Sequence, residues 1–325
     1  MTKEIGDSLG TLSKELNKEY GEGTIVDLDN EDIFDVETIS TGSLVLDDLT
    51  GIGGIPCGRV TEIFGSEGCG KTTICSQTVV QAQKMGKRCL YLDTEHTVDL
   101  RYMKSMGVDL KTLIFSRPAI GEDVMTIIKR YVEEDLVGLV VLDSVAQMTT
   151  KAESEGDIGD ANMGGKARLM GQTLRLLSKP LFDHNVALIL VNQVRDKIGI
   201  TFGSPKTTPG GKALAFACSL RIDMTKLKKI NGDKAILTKA EIVKNKLACP
   251  FAKGELTIVL GKGTIIEQEM VEIGVEKNLW TKGGAWYKID EETKFQGSDK
   301  LVEYLTDLRS TNNELYKQYL STCRG

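Results

Sequence analysis

Histidine is nearly absent from this chain: there are two, and the seven cysteines include no C-x-x-C pair. A zinc site built from His and Cys ligands therefore has little to draw on. An odd set of cysteines without that pairing points to reduced thiols in a cytoplasm rather than a disulfide framework. Long apolar runs are also missing. Leu136 to Leu142 and Val186 to Val191 have the length of buried strands, far short of the roughly 20 residues that cross a bilayer. Met1-Thr2-Lys3-Glu4-Ile5-Gly6-Asp7 has no apolar signal core, and the sequence shows no internal repeat and no low-complexity tract. No membrane partner and a cytoplasmic location are expected. What is present is 325 residues, 41% hydrophobic and 27% charged, enough for one large core and a smaller domain.

The net charge of −5 argues weakly against nucleic acid, but it averages an uneven chain. Residues 1–40 hold three lysines against eleven acids, whereas Arg195 to Lys246 holds twelve Lys or Arg against four. A basic stripe in an acidic protein can meet phosphate backbones, and it can equally be a solvated face.

The most informative stretch is Gly65-Ser66-Glu67-Gly68-Cys69-Gly70-Lys71-Thr72-Thr73, which reads G-x-x-x-x-G-K-T. Glycines let backbone N–H groups converge on a β-phosphate. Lys71 brings a mobile positive charge to the β- and γ-phosphates, and Thr72 offers a hydroxyl to Mg²⁺. Val60 to Phe64 reads as the strand before this loop. Ile74, Cys75, Thr78, Val79, Ala82 and Met85 recur at helical spacing after it, so a helix dipole adds to the anion site.

Further strands are expected at Cys89–Leu92, Leu113–Phe115, Leu139–Leu142 and Ala187–Val191, with helices at Met125–Glu134 and Ala167–Leu177 between them. That alternation predicts a mostly parallel sheet with helices on both faces. Leu220–Met224, Ala240–Val243 and Glu255–Leu260 lie closer together, as in an antiparallel extension. Thr11 to Tyr20 predicts an amphipathic helix, followed by a turn and a strand at Thr24-Ile25-Val26. The end of the chain, with Trp280, Trp286, Tyr287 and a helix at Leu315–Leu320, reads as a small α+β domain. The expected domains are residues 1–33, a nucleotide-binding core at 34–265, and 266–325.

Leu139-Val140-Val141-Leu142-Asp143 is an apolar run ending in an acid, placing Asp143 where it can hold water of a Mg²⁺ shell. Glu95, at the end of the strand after the P-loop helix, is the candidate general base for hydrolysis; the alternative is a surface acid. Gln193 ends another strand and either senses a γ-phosphate or caps a loop. Two long glycine-rich loops follow, Glu153 to Gly165 and Arg195 to Gly211. Loops this long in an α/β fold are usually functional or disordered. Arg195, Lys197, Lys206 and Lys212 suit the second loop to a phosphate backbone. The other reading is a lid over the nucleotide.

Together these stretches resemble the bacterial RecA recombinase family. The resemblance spans about Leu12 to Tyr287, through Val36 to Ser43, the P-loop, Asp93-Thr94-Glu95-His96, Asp143-Ser144-Val145-Ala146, Glu155 to Asp160, Asn192-Gln193-Val194-Arg195, Lys244-Asn245-Lys246 and Gly284-Ala285-Trp286-Tyr287. It implies filaments on single-stranded DNA, ATP with Mg²⁺ bound between neighbouring subunits, and pairing with homologous double-stranded DNA followed by strand exchange. A self-cleaving repressor is a further implied partner. By the same likeness Glu95 is the catalytic glutamate, Gln193 the γ-phosphate switch, and Asp99 and Tyr102 the adenine contacts. Lys244 and Lys246 reach a neighbour's ATP, and Thr11 to Val26 docks on the adjacent subunit. Met163, Arg168, Arg175, Arg195, Ile198, Gly210 and Gly211 contact DNA.

The sequence departs from the family at Ser66, Gly68-Cys69, Asp196, Lys206, Lys212 and Leu260, the last where an aromatic is common, and it ends without an acidic tail. These departures fit a divergent, phage-borne member. A ring-forming helicase-like motor and a nucleotide-gated DNA scaffold are the competing readings.

Overall fold

The structure is a computed structural model that describes residues 2–21, 24–25, 36–157, 164–196, 206–232 and 234–324. The chain divides into two compact units, Met1–Val36 and Glu37–Gly325. The first carries α1 (Thr2–Tyr20), nine residues longer at its start than the apolar spacing predicts. Thr24 and Ile25 form a bend rather than the expected strand, and Val26 lies outside the described residues. The reason is local. Asn17 Oδ1 accepts from Ile25 N at 2.7 Å and its Nδ2 donates to Ile25 O at 2.9 Å, folding the chain back on the helix end.

The second unit begins with β1 (Thr38–Ile39), α2 (Leu44–Thr50) and β2 (Ile55–Pro56), followed by β3 (Val60–Gly65), α3 (Lys71–Lys84), β4 (Cys89–Asp93), α4 (Leu100–Ser105), β5 (Leu113–Ser116) and α5 (Gly121–Glu133). Next come β6 (Leu139–Asp143), α6 (Lys151–Glu155), α7 (Gly165–Asp183), β7 (Ala187–Gln193), β8 (Arg195–Asp196), β9 (Lys206–Thr207) and α8 (Gly211–Ala217). The chain continues through β10 (Leu220–Ile230), β11 (Ala235–Asn245), β12 (Lys253–Val259), β13 (Gly263–Thr264) and α9 (Ile266–Glu276). It closes with β14 (Thr281–Gly283), β15 (Trp286–Lys288), β16 (Lys294–Gln296), α10 (Ser298–Thr311) and α11 (Asn313–Arg324).

Nine strands form the central sheet in the order β13-β12-β11-β10-β3-β7-β6-β4-β5. From β10 to β5 the neighbours are parallel; β10 to β13 are antiparallel, so the expected α/β class and its antiparallel extension are what the chain adopts. The apolar runs lack polar alternation because helices cover both faces. Tyr91, Val141 and Ile189 pack with Ile74 and Val79 of α3. The alternate residues Leu90, Val140, Leu142 and Leu190 pack with Val124 and Ile128 of α5 and Leu174 and Leu177 of α7. After β3 the chain crosses to β4, towards one edge of the sheet; after β7, its neighbour, it goes to β10, towards the other. That reversal opens a crevice at the carboxyl ends of the strands, where such sheets bind ligands.

β10 and β11 run well beyond the expected Leu220–Met224 and Ala240–Val243. Their distal halves carry Lys226, Lys228, Lys229 and Lys239, so no apolar run marks them. The C-terminal segment has its own three-stranded sheet and a core of Met270, Trp280, Leu301, Leu305 and Tyr316, joined by Leu44 of α2. Gly274 is needed there, since a Cβ would lie 2.5 Å from the Trp280 ring. Glu269 of α9 accepts from Ser43 Oγ at 2.8 Å and from Leu44 N at 2.5 Å, stitching this segment to the first turn of α2.

Candidate functional site

Register brings the candidate residues to one rim. Gly65 lies beside Gln193 on one side and Met224 on the other, and Asp93 beside Asp143. Between them the chain from Gly65 to Gly70 turns into α3. Gly65 admits no side chain: a Cβ would stand 1.9 Å from Met224 O. Gly70 has φ +94, and a Cβ there would meet Ile258 Cδ1 at 2.3 Å. The start of α3 has no side-chain cap, leaving its first turn open to an anion. Ser66 and Glu67 are exposed, whereas Cys69 is fully buried, its carbonyl accepting from Thr238 Oγ1 at 3.0 Å. Burial pushes the Cys69 thiol up, so it packs rather than reacts.

Lys71 Nζ donates to Gly65 O at 3.1 Å and Ser66 O at 2.8 Å, holding the ammonium across the mouth of the loop. Thr72 Oγ1 donates to Asp143 Oδ2 at 2.8 Å, and Tyr91 OH donates to the same oxygen at 2.8 Å. Burial raises the Asp143 carboxyl above its ordinary range; the two hydroxyls oppose that and the charges of Glu95 and Asp93 add to it. A hydroxyl and one carboxylate are hard oxygen donors suited to Mg²⁺, which keeps most of its octahedral positions for phosphate and water. Thr72 and Asp143 fit that ion.

Glu95 Oε1 accepts from Ser144 Oγ at 2.5 Å and from Gln193 Nε2 at 2.9 Å. Ser144 follows Asp143 through a cis peptide bond, and its N–H donates to Thr94 Oγ1 at 2.9 Å. Thr94 N in turn donates to Asp143 O at 2.8 Å. Glu95, Gln193, Asp143, Lys71 and Thr72 all line one cavity of about 260 Å³, walled on its far side by Ile236, Ile258 and Leu260. Tyr102 OH lies 3.2 Å from Thr73 Oγ1, while Asp99 is the N-cap of α4, accepting from Arg101 N at 2.8 Å.

A family model of the RecA N-terminal domain matches residues 7–265. The chain belongs to the RecA family. A crystal structure of the RadB recombinase superposes with a TM-score of 0.56 at 24% identity, covering 70% of this chain and 98% of that one, which is a likeness of fold. Membership carries, at that coarse level, ATP binding and a part in recombination. Among the described residues no helix is long and apolar enough to cross a membrane.

Not every candidate residue of this RecA-family chain gathers at the P-loop. Lys244 is in register with Arg221, itself beside Glu62, towards the opposite end of the sheet. Its Nζ donates to Ala215 O at 2.7 Å and Phe216 O at 3.0 Å, closing the end of α8. Burial, then the charge of Lys246, lowers the Lys244 ammonium below its usual range. Arg168 and Arg175 are exposed on α7 and Lys212 on α8. Gly210 and Gly211 start α8 at φ +95 and +75, and a Cβ on Gly211 would strike Ala167 of α7 at 2.8 Å. Exposed Arg195 opens β8, whose ladder pairs Asp196 with Lys206. Met163, Lys197 and Ile198 lie outside the described residues.

Two groups in the site escaped the sequence reading. Tyr91 sits inside an apolar run, where a tyrosine reads as core; Ser144 looks like an ordinary residue after a strand-end acid. Ile236 and Ile258 belong to a wall that the β10-β11-β12 pairing brings round.

Proposed function

We propose that this chain is an ATP-dependent homologous recombinase. It assembles on single-stranded DNA, hydrolyses ATP in a DNA-dependent manner, and promotes pairing and strand exchange with homologous duplex. The observation that carries this reading is the Gln193–Glu95 hydrogen bond at 2.9 Å. It joins the hydrolytic carboxylate to the end of β7, and Arg195, two residues on, begins the basic loop. A change at Gln193 is thereby passed to the loop, and DNA held there acts back on Glu95.

In this reading Lys71 and the N–H groups of the loop bind the β- and γ-phosphates. Thr72 and Asp143 hold Mg²⁺, which when bound neutralises charge on those phosphates. Glu95 orients the attacking water and takes its proton, with Ser144 fixing the carboxylate. The loop from Arg195 meets the DNA backbone.

The test is ATP turnover with and without single-stranded DNA, alongside electron microscopy with a non-hydrolysable ATP analogue. Turnover that rises with DNA, together with continuous helical filaments, is expected. Closed rings would favour a motor, and turnover indifferent to DNA would sink the recombinase reading.

A further inference from the structure

A second polar cavity, about 220 Å³, opens where the end of α3 meets the β12–β13 turn and α10. Its floor is already satisfied: Gln77 Oε1 accepts from Thr264 N at 3.0 Å, and Gln77 Nε2 donates to Thr264 O at 3.1 Å. Thr264 Oγ1 donates to Gly42 O at 2.8 Å. Its rim is cationic. Lys84 from α3, Lys262 from the turn and Arg309 from α10 converge on it from three separate elements. The carboxylate in its wall, Glu267, accepts from Tyr316 OH at 2.8 Å and from Arg309 Nη1 at 3.3 Å, so Arg309 is already paired while Lys84 and Lys262 carry the uncompensated charge. One negative charge against three positive leaves the cavity with a surplus of two. Burial first, and then the nearby Arg309, lower the Lys84 ammonium below its ordinary range, with Glu267 opposing them.

We propose that this cavity is a second anion site, distinct from the P-loop, that takes a small multivalent phosphate such as inorganic diphosphate. An oxyanion seated there offsets the surplus positive charge and accepts charge-assisted hydrogen bonds from Lys84 and Lys262. The surplus of two positive charges suits a small multivalent phosphate. The cations belong to the end of the P-loop helix, the β12–β13 turn and α10 of the C-terminal segment, so occupancy ties the three together. Lys262 lies two residues from Leu260, which walls the nucleotide cavity, so the bound anion braces that wall as well.

The probe is inorganic diphosphate, titrated calorimetrically into the full chain already saturated with ADP and Mg²⁺, and in parallel into Lys71→Ala. One equivalent of salt-sensitive binding is expected in both. Lys84→Gln with Lys262→Gln, both exposed and outside the P-loop, should weaken diphosphate by about 10-fold or more while leaving ADP affinity unchanged. Slower amide exchange at the end of α3 and in α10 on adding diphosphate would support the bridge. No uptake beyond the ADP site, or equal uptake by the double variant, overturns the assignment. A double variant that loses a single-stranded oligonucleotide but keeps diphosphate would also overturn it, giving the cations to a nucleic-acid backbone.

Discussion

Glu95 is held, not merely displayed. Ser144 and Gln193 both donate to Oε1, which leaves Oε2 for a water. Glu95→Gln should still bind ATP, with turnover falling by about 10²–10⁴ because the water is neither oriented nor deprotonated. Ser144→Ala should lower kcat by a smaller factor with KM unchanged, since the hydroxyl touches the carboxylate and not the nucleotide. Steady-state kinetics on both variants is the check; parental turnover in Glu95→Gln would make Glu95 a structural acid. Lys71 has a different task. Its ammonium donates to two backbone oxygens at the loop mouth, Gly65 O and Ser66 O, so the same group can swing to a phosphate at small cost.

Among the elements, the junction of α2 with α9 holds two buried carboxylates. Asp47 accepts from Ser40 Oγ at 2.5 Å and from Thr41 N at 2.7 Å, and burial raises it to about 6. Glu269, raised by burial from 4.5 to about 7, accepts from Ser43 and the start of α2. A carboxyl whose pKa is raised by folding binds more protons folded than unfolded between those values. Its contribution to stability is therefore full below its unfolded pKa and is lost as pH rises through the folded one. Between pH 4.5 and about 7 Glu269 should make the chain less stable with rising pH, by at most about 1.4 kcal/mol per pH unit. Glu269→Gln should remove that slope in denaturant melts run across the range; an identical pH profile in the variant would mean the carboxyl is not titrating there. The β8–β9 ladder and the start of α8 present a separate test. Lys206→Ala with Lys212→Ala should flatten the salt dependence of single-stranded DNA binding by up to about 1.4, roughly 0.7 per lost phosphate contact. An unchanged slope would take both lysines off the backbone.

For the whole molecule, the place of Lys244 and Lys246 decides what one chain can do alone. The register through Arg221 and Glu62 sets Lys244 three residues back along β3 from Gly65 and two strands across. That is about 10 Å along the strand direction and a similar distance sideways. Neither lysine completes the P-loop of its own chain without dismantling the sheet. If they serve a neighbour's phosphates, mixing Lys71→Ala chains with Lys244→Ala/Lys246→Ala chains should recover part of the ATP turnover, because some interfaces then contain both intact halves. The measurement is turnover against mixing ratio in filaments shown to contain both; no recovery at any ratio would mean each chain carries a complete site.

How much of this was legible beforehand follows from the range of the forces involved. The P-loop, the strand–helix alternation and the acids at strand ends are local chemistry. Glycines where backbone must approach phosphate, apolar runs where strands lie between helices, and a carboxylate where a run meets solvent can each be read from a few neighbouring residues. Tertiary structure alone decided which strand ends stand together. Gln193 and Glu95, 98 residues apart, meet only because β7 and β4 flank β6. Tyr91 and Ser144 turned from core and linker into parts of the site for the same reason. The lengths of β10 and β11 and the tie from Glu269 to α2 were likewise set by pairing and burial between distant segments. Strand order, register and the environment of a buried carboxyl depend on partners that no local window of sequence contains.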